Sequence, residues 1–290
     1  MKLSIITLTY KNWRELDIAI SSVSTQIVND KYTVEYLVVD DGTPDFDYQH
    51  VSSLLARDCP YEYKIIQNKN NKGTVKSFND AIKSANGDII IPLSADDSFY
   101  SVDVVNSIAN TFVNPEVNIV TTLRKPVVKD KDLPCLPDKK NIRLFEDQEK
   151  LKHHILTRGN FISGAATSYR KQKLEELGYF DEQYRLLEDY PFYVKALLNN
   201  VKIDFLEIIS IKYGMEGVTE IGAMNPILRA DFNKLYFDII SNADISTFWR
   251  RNIYYSKILT KAEKLKVKNL LLYPEQFIAY LFQKVTRKFK

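Results

Sequence analysis

Two hydrophobic periods alternate along the first half of the chain. Short runs rich in β-branched and aromatic residues read as strands: Leu3–Thr9 (LSIITLT), Glu35–Asp41 (EYLVVDD), Tyr61–Asn68 (YEYKIIQN), Asp88–Ser94 (DIIIPLS) and Val117–Leu123 (VNIVTTL). Between them, over Trp13–Gln26, Tyr48–Ala56, Thr74–Asn86 and Val102–Phe112, apolar positions recur at the spacing of amphipathic helices. Strand and helix in strict alternation predict βαβ units and an α/β fold with a mostly parallel sheet flanked by helices.

Past Leu123 the pattern loosens. Arg124–Asn141 (RKPVVKDKDLPCLPDKKN) is rich in Pro, Lys and Asp and reads as a mobile loop. Helical spacing returns over Asp147–Thr157, at Lys171 and within Leu186–Asn200, around an apolar segment Phe161–Arg170. From Asn225 onward the pattern is helical to the end. Two regions are expected: residues 1–222, whose pattern changes at about residue 123, and residues 223–290 as a helical basic C-terminal region.

Composition adds one asymmetry. The chain of 290 residues has net charge +3. Arg250–Lys290 holds 11 Lys/Arg against Glu263 and Glu275, a net of +9, which leaves −6 in residues 1–249. The two ends have different partners. Within Glu275–Phe289, Phe277, Ile278, Leu281, Phe282, Val285 and Phe289 recur at helical spacing beside Lys284, Arg287 and Lys288. Such a basic amphipathic helix suits an anionic membrane surface, or packing against its own domain or a partner. No nucleic-acid-binding motif accompanies the charge. The opening MKLSIITLTY lacks a cleavage site, and no window reaches the roughly 18 apolar residues of a membrane span, so a cytoplasmic chain is expected. Cys59 and Cys135 lack the spacing of a metal site or a disulfide framework.

Candidate chemistry gathers at the strand ends, where α/β sheets bind ligands. Thr9 and Tyr10 follow the first strand, Asp40 and Asp41 the second, and Asn71-Lys72-Gly73 the third. Asp96 and Asp97 follow the fourth, without a basic residue nearby. Adjacent unpaired carboxylates repel, and Mg²⁺ or Mn²⁺ resolves the repulsion; helix capping or plain solvation is the alternative. Asp40 and Asp41 suit a ribose or base, or an ordinary turn. Lys72 and Lys76 at a helix start suit a pyrophosphate. Neither G-x-G-x-x-G nor G-x-x-x-x-G-K-[ST] is present.

SIITLTYKNWRELDIAISSVSTQ, EYLVVDDGT, NKNNKGTVKSFNDAI and GDIIIPLSADDSF, in that order, resemble the motifs of inverting family 2 nucleotide-sugar glycosyltransferases with the GT-A fold. SGAATSYRKQKLEELGYFDEQYRLLEDYPFYVKAL resembles their acceptor half, and the match spans Lys2 to Thr219. The resemblance implies that Thr9, Tyr10 and Asp40 or Asp41 hold the nucleoside. It puts Asp96 and Asp97 at the metal-binding D-x-D motif, with Ser94 in place of the first acid of its common D-x-D-D form. Asp189 of the pair Glu188-Asp189 becomes the catalytic base. Glu216, where the family often has a metal-reaching histidine two places after Gly214, becomes a candidate oxygen ligand. The implied partners are a UDP-sugar or dTDP-sugar donor, Mn²⁺ or Mg²⁺, and a saccharide or lipid-linked saccharide acceptor in bacterial surface polysaccharide assembly. A sugar nucleotidyltransferase fits less well, because LTYKNWRE lacks a glycine-rich phosphate loop. A non-catalytic nucleotide-sugar-binding or scaffolding protein is the other rival.

Overall fold

The computed structural model describes residues 1–128, 131–214 and 225–288. Its strands are β1 (Lys2–Thr9), β2 (Thr33–Asp40), β3 (Glu62–Gln67), β4 (Ile89–Pro92), β5 (Ser98–Phe99), β6 (Ile119–Val128), β7 (Lys131–Asp132), β8 (Thr167–Arg170) and β9 (Asp204–Gly214). Among the described residues they form one nine-stranded sheet, β3-β2-β1-β4-β8-β6-β9-β5, with β7 hanging on β6. The β1–β2, β2–β3, β1–β4 and β6–β9 pairings are parallel. Strand β8 runs antiparallel to both of its neighbours, and β5 antiparallel to β9, so the sheet is mixed.

The helices are α1 (Leu16–Ser24), α2 (Tyr48–Asp58), α3 (Thr74–Ser84), α4 (Val104–Thr111), α5 (Lys139–Ile142), α6 (Gln148–Thr157), α7 (Lys171–Glu176) and α8 (Asp189–Leu198). The C-terminal region adds α9 (Pro226–Asn242), α10 (Thr247–Ile253), α11 (Lys261–Lys264), α12 (Val267–Leu272) and α13 (Pro274–Lys288). Alternation along each strand splits the core in two. Leu3, Ile5, Tyr36 and Val38 face α1, α2 and α4, through Leu16, Ile20, Val51, Leu55 and Val105. Ile6, Leu37 and Val39 face the other layer, where Phe78 and Ile82 of α3 meet Leu151 and Ile155 of α6, and Tyr193 of α8. Leu235 and Ile239 of α9 join that second cluster, so the start of the C-terminal region packs on the same core.

One expectation is corrected. The stretch read as a mobile loop contains the second half of β6, which pairs with β9 through Val127↔Gly214, and β7. Its polar composition misled because Arg124 and Lys125 sit on a strand whose cross-strand partners are Ile211 and Lys212, after register shifts at Thr122 to Arg124. Glu216 and Thr219 lie outside the described residues.

Candidate active site

Parallel register brings the strand ends level: Thr9 lies opposite Asp40, and Asp40 opposite Gln67. Thr9 is buried, donates its hydroxyl to Asn12 Oδ1 at 2.9 Å, and lines a cleft of about 1760 Å³. Tyr10 follows it, 42% exposed on the same cleft. Gly42, at φ +76, turns the chain beyond Asp41, where a Cβ would stand 2.4 Å from the Asn70 carbonyl carbon. Only glycine passes there.

The two aspartates before that glycine brace the loops. Asp40 is fully buried, accepts from the Thr43 amide at 3.0 Å, and is absent from the cleft lining. Burial pushes its pKa up, against the Thr43 hydrogen bonds. Asp41 lines the cleft but is heavily engaged. Oδ1 accepts from Asn68 Nδ2 at 3.1 Å, the Lys72 amide at 2.9 Å and Ser77 Oγ at 2.5 Å, while Oδ2 accepts from the Gly73 amide at 2.9 Å. These bonds tie the loop before α3 to the end of β2. Lys72 and Lys76 point elsewhere. Lys72 Nζ meets Asp80 at 2.9 Å, Lys76 Nζ meets Glu182 at 3.2 Å, and neither residue lines the cleft. What faces it from this loop is Asn71, Gly73 and Thr74.

Beyond β4 the carboxylates of Asp96 and Asp97 differ in setting. Asp96 lines the cleft. Asp97 is wholly buried; Oδ1 accepts from the Gly214 amide at 3.2 Å, and Oδ2 has no hydrogen-bond partner. Burial, then the neighbouring Asp96 charge, pushes the Asp97 pKa up to about 7. A buried, unpartnered carboxylate oxygen beside a second carboxylate costs free energy, and a divalent cation removes that cost. Both donors are hard oxygens, as Mg²⁺ and Mn²⁺ prefer, and Gly214 lies against Asp96, where a Cβ would stand 3.6 Å from the Asp96 carbonyl oxygen and 3.8 Å from its Oδ2. Among the described residues no third acid, His or Cys completes a cluster, which fits a metal that takes its remaining oxygens from substrate and water.

Glu188 and Asp189 open α8. Asp189 Oδ1 accepts from the Tyr190 amide at 2.6 Å; Oδ2 accepts from the Gly164 amide at 3.3 Å and Asn160 Nδ2 at 3.4 Å. A Cβ on Gly164 would stand 3.2 Å from Asp189 Cβ, so glycine lets the backbone donor approach. Both carboxyls line the cleft, and burial raises both pKa values; the neighbouring Asp189 charge raises Glu188 further. Arg124 acts against this: it donates to Ser163 Oγ at 3.0 Å, and its charge pulls both Asp97 and Asp189 down. One cleft is therefore lined by the carboxyls of Asp96, Glu188 and Asp189 and by the Arg124 guanidinium, while Asp97, next to Asp96 in the chain, is buried and absent from the lining.

Sequence reasoning missed Arg124, Asn160, Gly164, Arg158 and Lys257, all of which line the cleft. Asn160 and Gly164 had a local signal, since Asn160 stands just before the apolar segment Phe161–Arg170 and Gly164 lies within it, ahead of β8. Lys257 had none, because it reaches the cleft from the C-terminal region.

Comparison with known proteins agrees with this geometry. The profile of Glycosyl transferase family 2 matches residues 4–178, more than half of the chain. A protein of Haemophilus influenzae named as an uncharacterized glycosyltransferase is 22% identical over 256 residues, 88% of this chain and 86% of that protein. Another so named, from Nostoc, is 28% identical, covering 70% of this chain and 62% of its own. In fold, the chain is similar to residues 1–349 of S. aureus TarS in complex with UDP-GlcNAc, at TM-score 0.63 and 19% identity, covering 96% of this chain and 79% of that one. It spans 46% of the longer TarS chain. It is also similar to the mannosyltransferase PcManGT of Pyrobaculum calidifontis in complex with GDP-Man and Mn²⁺, at TM-score 0.60 and 16% identity, covering 98% of this chain and 75% of that one. The chain belongs to glycosyl transferase family 2 and is a glycosyltransferase with the GT-A fold.

Proposed function

We propose that the protein transfers one sugar from a nucleoside-diphosphate donor to a hydroxyl acceptor with inversion, and that Asp189 is the base. One observation carries the reading: the Asp189 carboxylate is fixed by three donors in the same cleft that Asp96 lines. Asp189 takes the acceptor hydroxyl proton, the acceptor oxygen bonds the anomeric carbon, and the bond from that carbon to the diphosphate breaks on the opposite face. Three fixed donors hold the carboxylate in place, and burial raises its basicity. Mn²⁺ or Mg²⁺, held by Asp96 and Asp97, would supply charge neutralisation for the leaving diphosphate. Arg124 supplies fixed positive charge from the protein itself.

Thr9, Tyr10, Asn71 and Gly73 surround the nucleoside, with Asp40 and Asp41 setting the backbone around it. UDP is the favoured donor base, with dTDP next; TarS, bound to UDP-GlcNAc, supports the first choice. Residues 1–222 form the transferase unit, 1–123 serving the donor and 124–222 the acceptor, and residues 223–290 are its helical basic extension. The acceptor is a saccharide, lipid-linked or free, in bacterial surface polysaccharide assembly. The site works on the cytoplasmic side, where sugar nucleotides are supplied. No described helix is long and apolar enough to cross a membrane, and the basic C-terminal region offers peripheral contact with an anionic bilayer instead. The test is Asp189→Asn in a sugar-transfer assay alongside UDP binding in Mn²⁺. Lost turnover with retained UDP affinity supports the assignment; full turnover by the variant overturns it.

A further inference from the structure

Arg158 caps the C-terminal end of α6 and lines the cleft. Among the described residues it has no carboxylate partner; its guanidinium lies 5.2 Å from the Trp249 ring centre. Lys257, in the helical turn Tyr254–Ile258, reaches the same place: its Nζ stands 3.5 Å from where a Cβ on Gly159 would be. It too has no ion pair among the described residues, and burial pulls its pKa below the ordinary lysine value. The surrounding potential is positive. His154 is held below its usual pKa by burial, then by the charges of Arg158, Lys140, His153 and Lys257. Two acids in the neighbouring groove with Arg158 are engaged elsewhere: Asp147 pairs with Lys150 at 2.8 Å and Glu149 with Lys152 at 3.6 Å.

Two unpaired cations held together on a cleft wall repel each other, and an anion relieves that. An arginine beside a lysine suits a phosphate group, one as a planar fork and the other as a point charge. Arg158 is two residues from Asn160, which hydrogen-bonds Asp189, and so belongs to the segment that positions the proposed base, whereas Asp96 follows β4. We infer that Arg158 and Lys257 form an oxyanion subsite at the acceptor end of the cleft, so that the accepted substrate carries a phosphate group close to its reacting hydroxyl. This rests on the transferase reading above and narrows its acceptor class.

Trp249 supplies the reporter. The chain has two tryptophans, so Trp13→Phe leaves one indole, stacked against Arg158. Inorganic phosphate titrated into this protein is expected to change its fluorescence saturably, with roughly tenfold weaker binding in Lys257→Ala, which leaves the Arg158–Trp249 contact in place. Saturating UDP with Mn²⁺ should leave the phosphate response intact. Loss of the response to UDP would mean the cations serve the donor diphosphate, and an unchanged affinity in Lys257→Ala would mean no subsite; either overturns the inference. A protein that responds to phosphate but binds no nucleoside diphosphate breaks the transferase reading instead, while UDP binding without a phosphate response breaks only this one. Two further ligands name the source. Tighter binding of a phosphodiester such as glycerophosphoglycerol points to a phosphate-linked polymer, and tighter binding of a short-tailed alkyl sugar diphosphate to a lipid carrier. A methyl glycoside binding as well as either would overturn the phosphate requirement.

Discussion

Asp97 and Gly214 meet across 117 residues of chain: the Gly214 amide donates to Asp97 Oδ1 at 3.2 Å, and Oδ2 of the same carboxylate is left buried without a partner. With its pKa near 7, well above an ordinary carboxyl, Asp97 stabilises the metal-free protein while protonated. That stability is full below about pH 4 and is lost as pH rises through 7. Asp97→Asn should therefore stabilise the metal-free protein at pH 8 by on the order of 2 kcal/mol, and less at pH 5. In wild type, Mn²⁺ should bind more tightly as pH rises from 5 to 7. Denaturant unfolding of both proteins across this range, with and without Mn²⁺, checks both statements. A variant equal to wild type at every pH would remove Asp97 from the metal site.

Asp189 titrates in the opposite functional sense, because a base must be deprotonated. Burial raises its pKa, so the acid limb of the turnover profile should lie above the ordinary carboxylate range. Arg124 holds that value down, and Arg124→Ala should move the limb to higher pH while lowering the plateau. A pH–rate series for the two proteins decides it. An unmoved limb would mean that Arg124 does not reach the base electrostatically.

Gly164 is where packing and chemistry touch. A Cβ there would stand 3.2 Å from Asp189 Cβ and 3.6 Å from its Oδ2, close enough to require a shift of a few tenths of an ångström. Gly164→Ala is expected to lower turnover about tenfold to a hundredfold while leaving UDP affinity unchanged, since the added Cβ would press on Asp189. A variant that loses UDP binding as well would show a wider disturbance than this one contact.

Asp41 has an architectural task whatever its part in binding. Its oxygens accept from two backbone amides, Asn68 and Ser77. Asp41→Asn turns one oxygen into a donor facing donors, and should cost about 2–4 kcal/mol in unfolding free energy. Ser77→Ala, which removes one bond, should cost about 1 kcal/mol. Nearly equal losses in the two variants would contradict this division of labour.

These sites show which features were readable in the chain. The strand ends were, because short apolar runs bounded by turn signals, Asn86-Gly87 before β4 and Asp41-Gly42 after β2, mark where an element starts or stops. The tasks of individual side chains there were not: Asp41 is engaged by amides about 30 residues downstream, and Lys76 is paired with Glu182, 106 residues away. Arg124 escaped notice because a run of polar residues with a proline looks like a loop unless β9 is known to lie beside it. Asp189 was found through motif resemblance, whereas its fixing by Asn160 and Gly164 needed the fold.

The C-terminal region makes the last expectation concrete. Val267, Leu271 and Leu272 of α12 are 71%, 77% and 46% exposed, and Ile278 and Leu281 of α13 are 66% and 43% exposed. The side chains of Phe282 and Val285, and Phe289 as a whole, lie outside the described residues. Lys261, Lys264, Lys266 and Lys268 accompany this apolar set in sequence, within the segment that carries net +9. Exposed aliphatics among basic residues match an anionic bilayer, where apolar burial and charge attraction add. Flotation with vesicles containing phosphatidylglycerol should carry the protein upward, and vesicles of phosphatidylcholine alone should not. Val267→Glu with Leu271→Glu should abolish flotation without changing UDP binding, because neither residue lines the cleft. Equal flotation by this variant, or none by wild type at low salt, would assign the apolar surface to a protein neighbour instead.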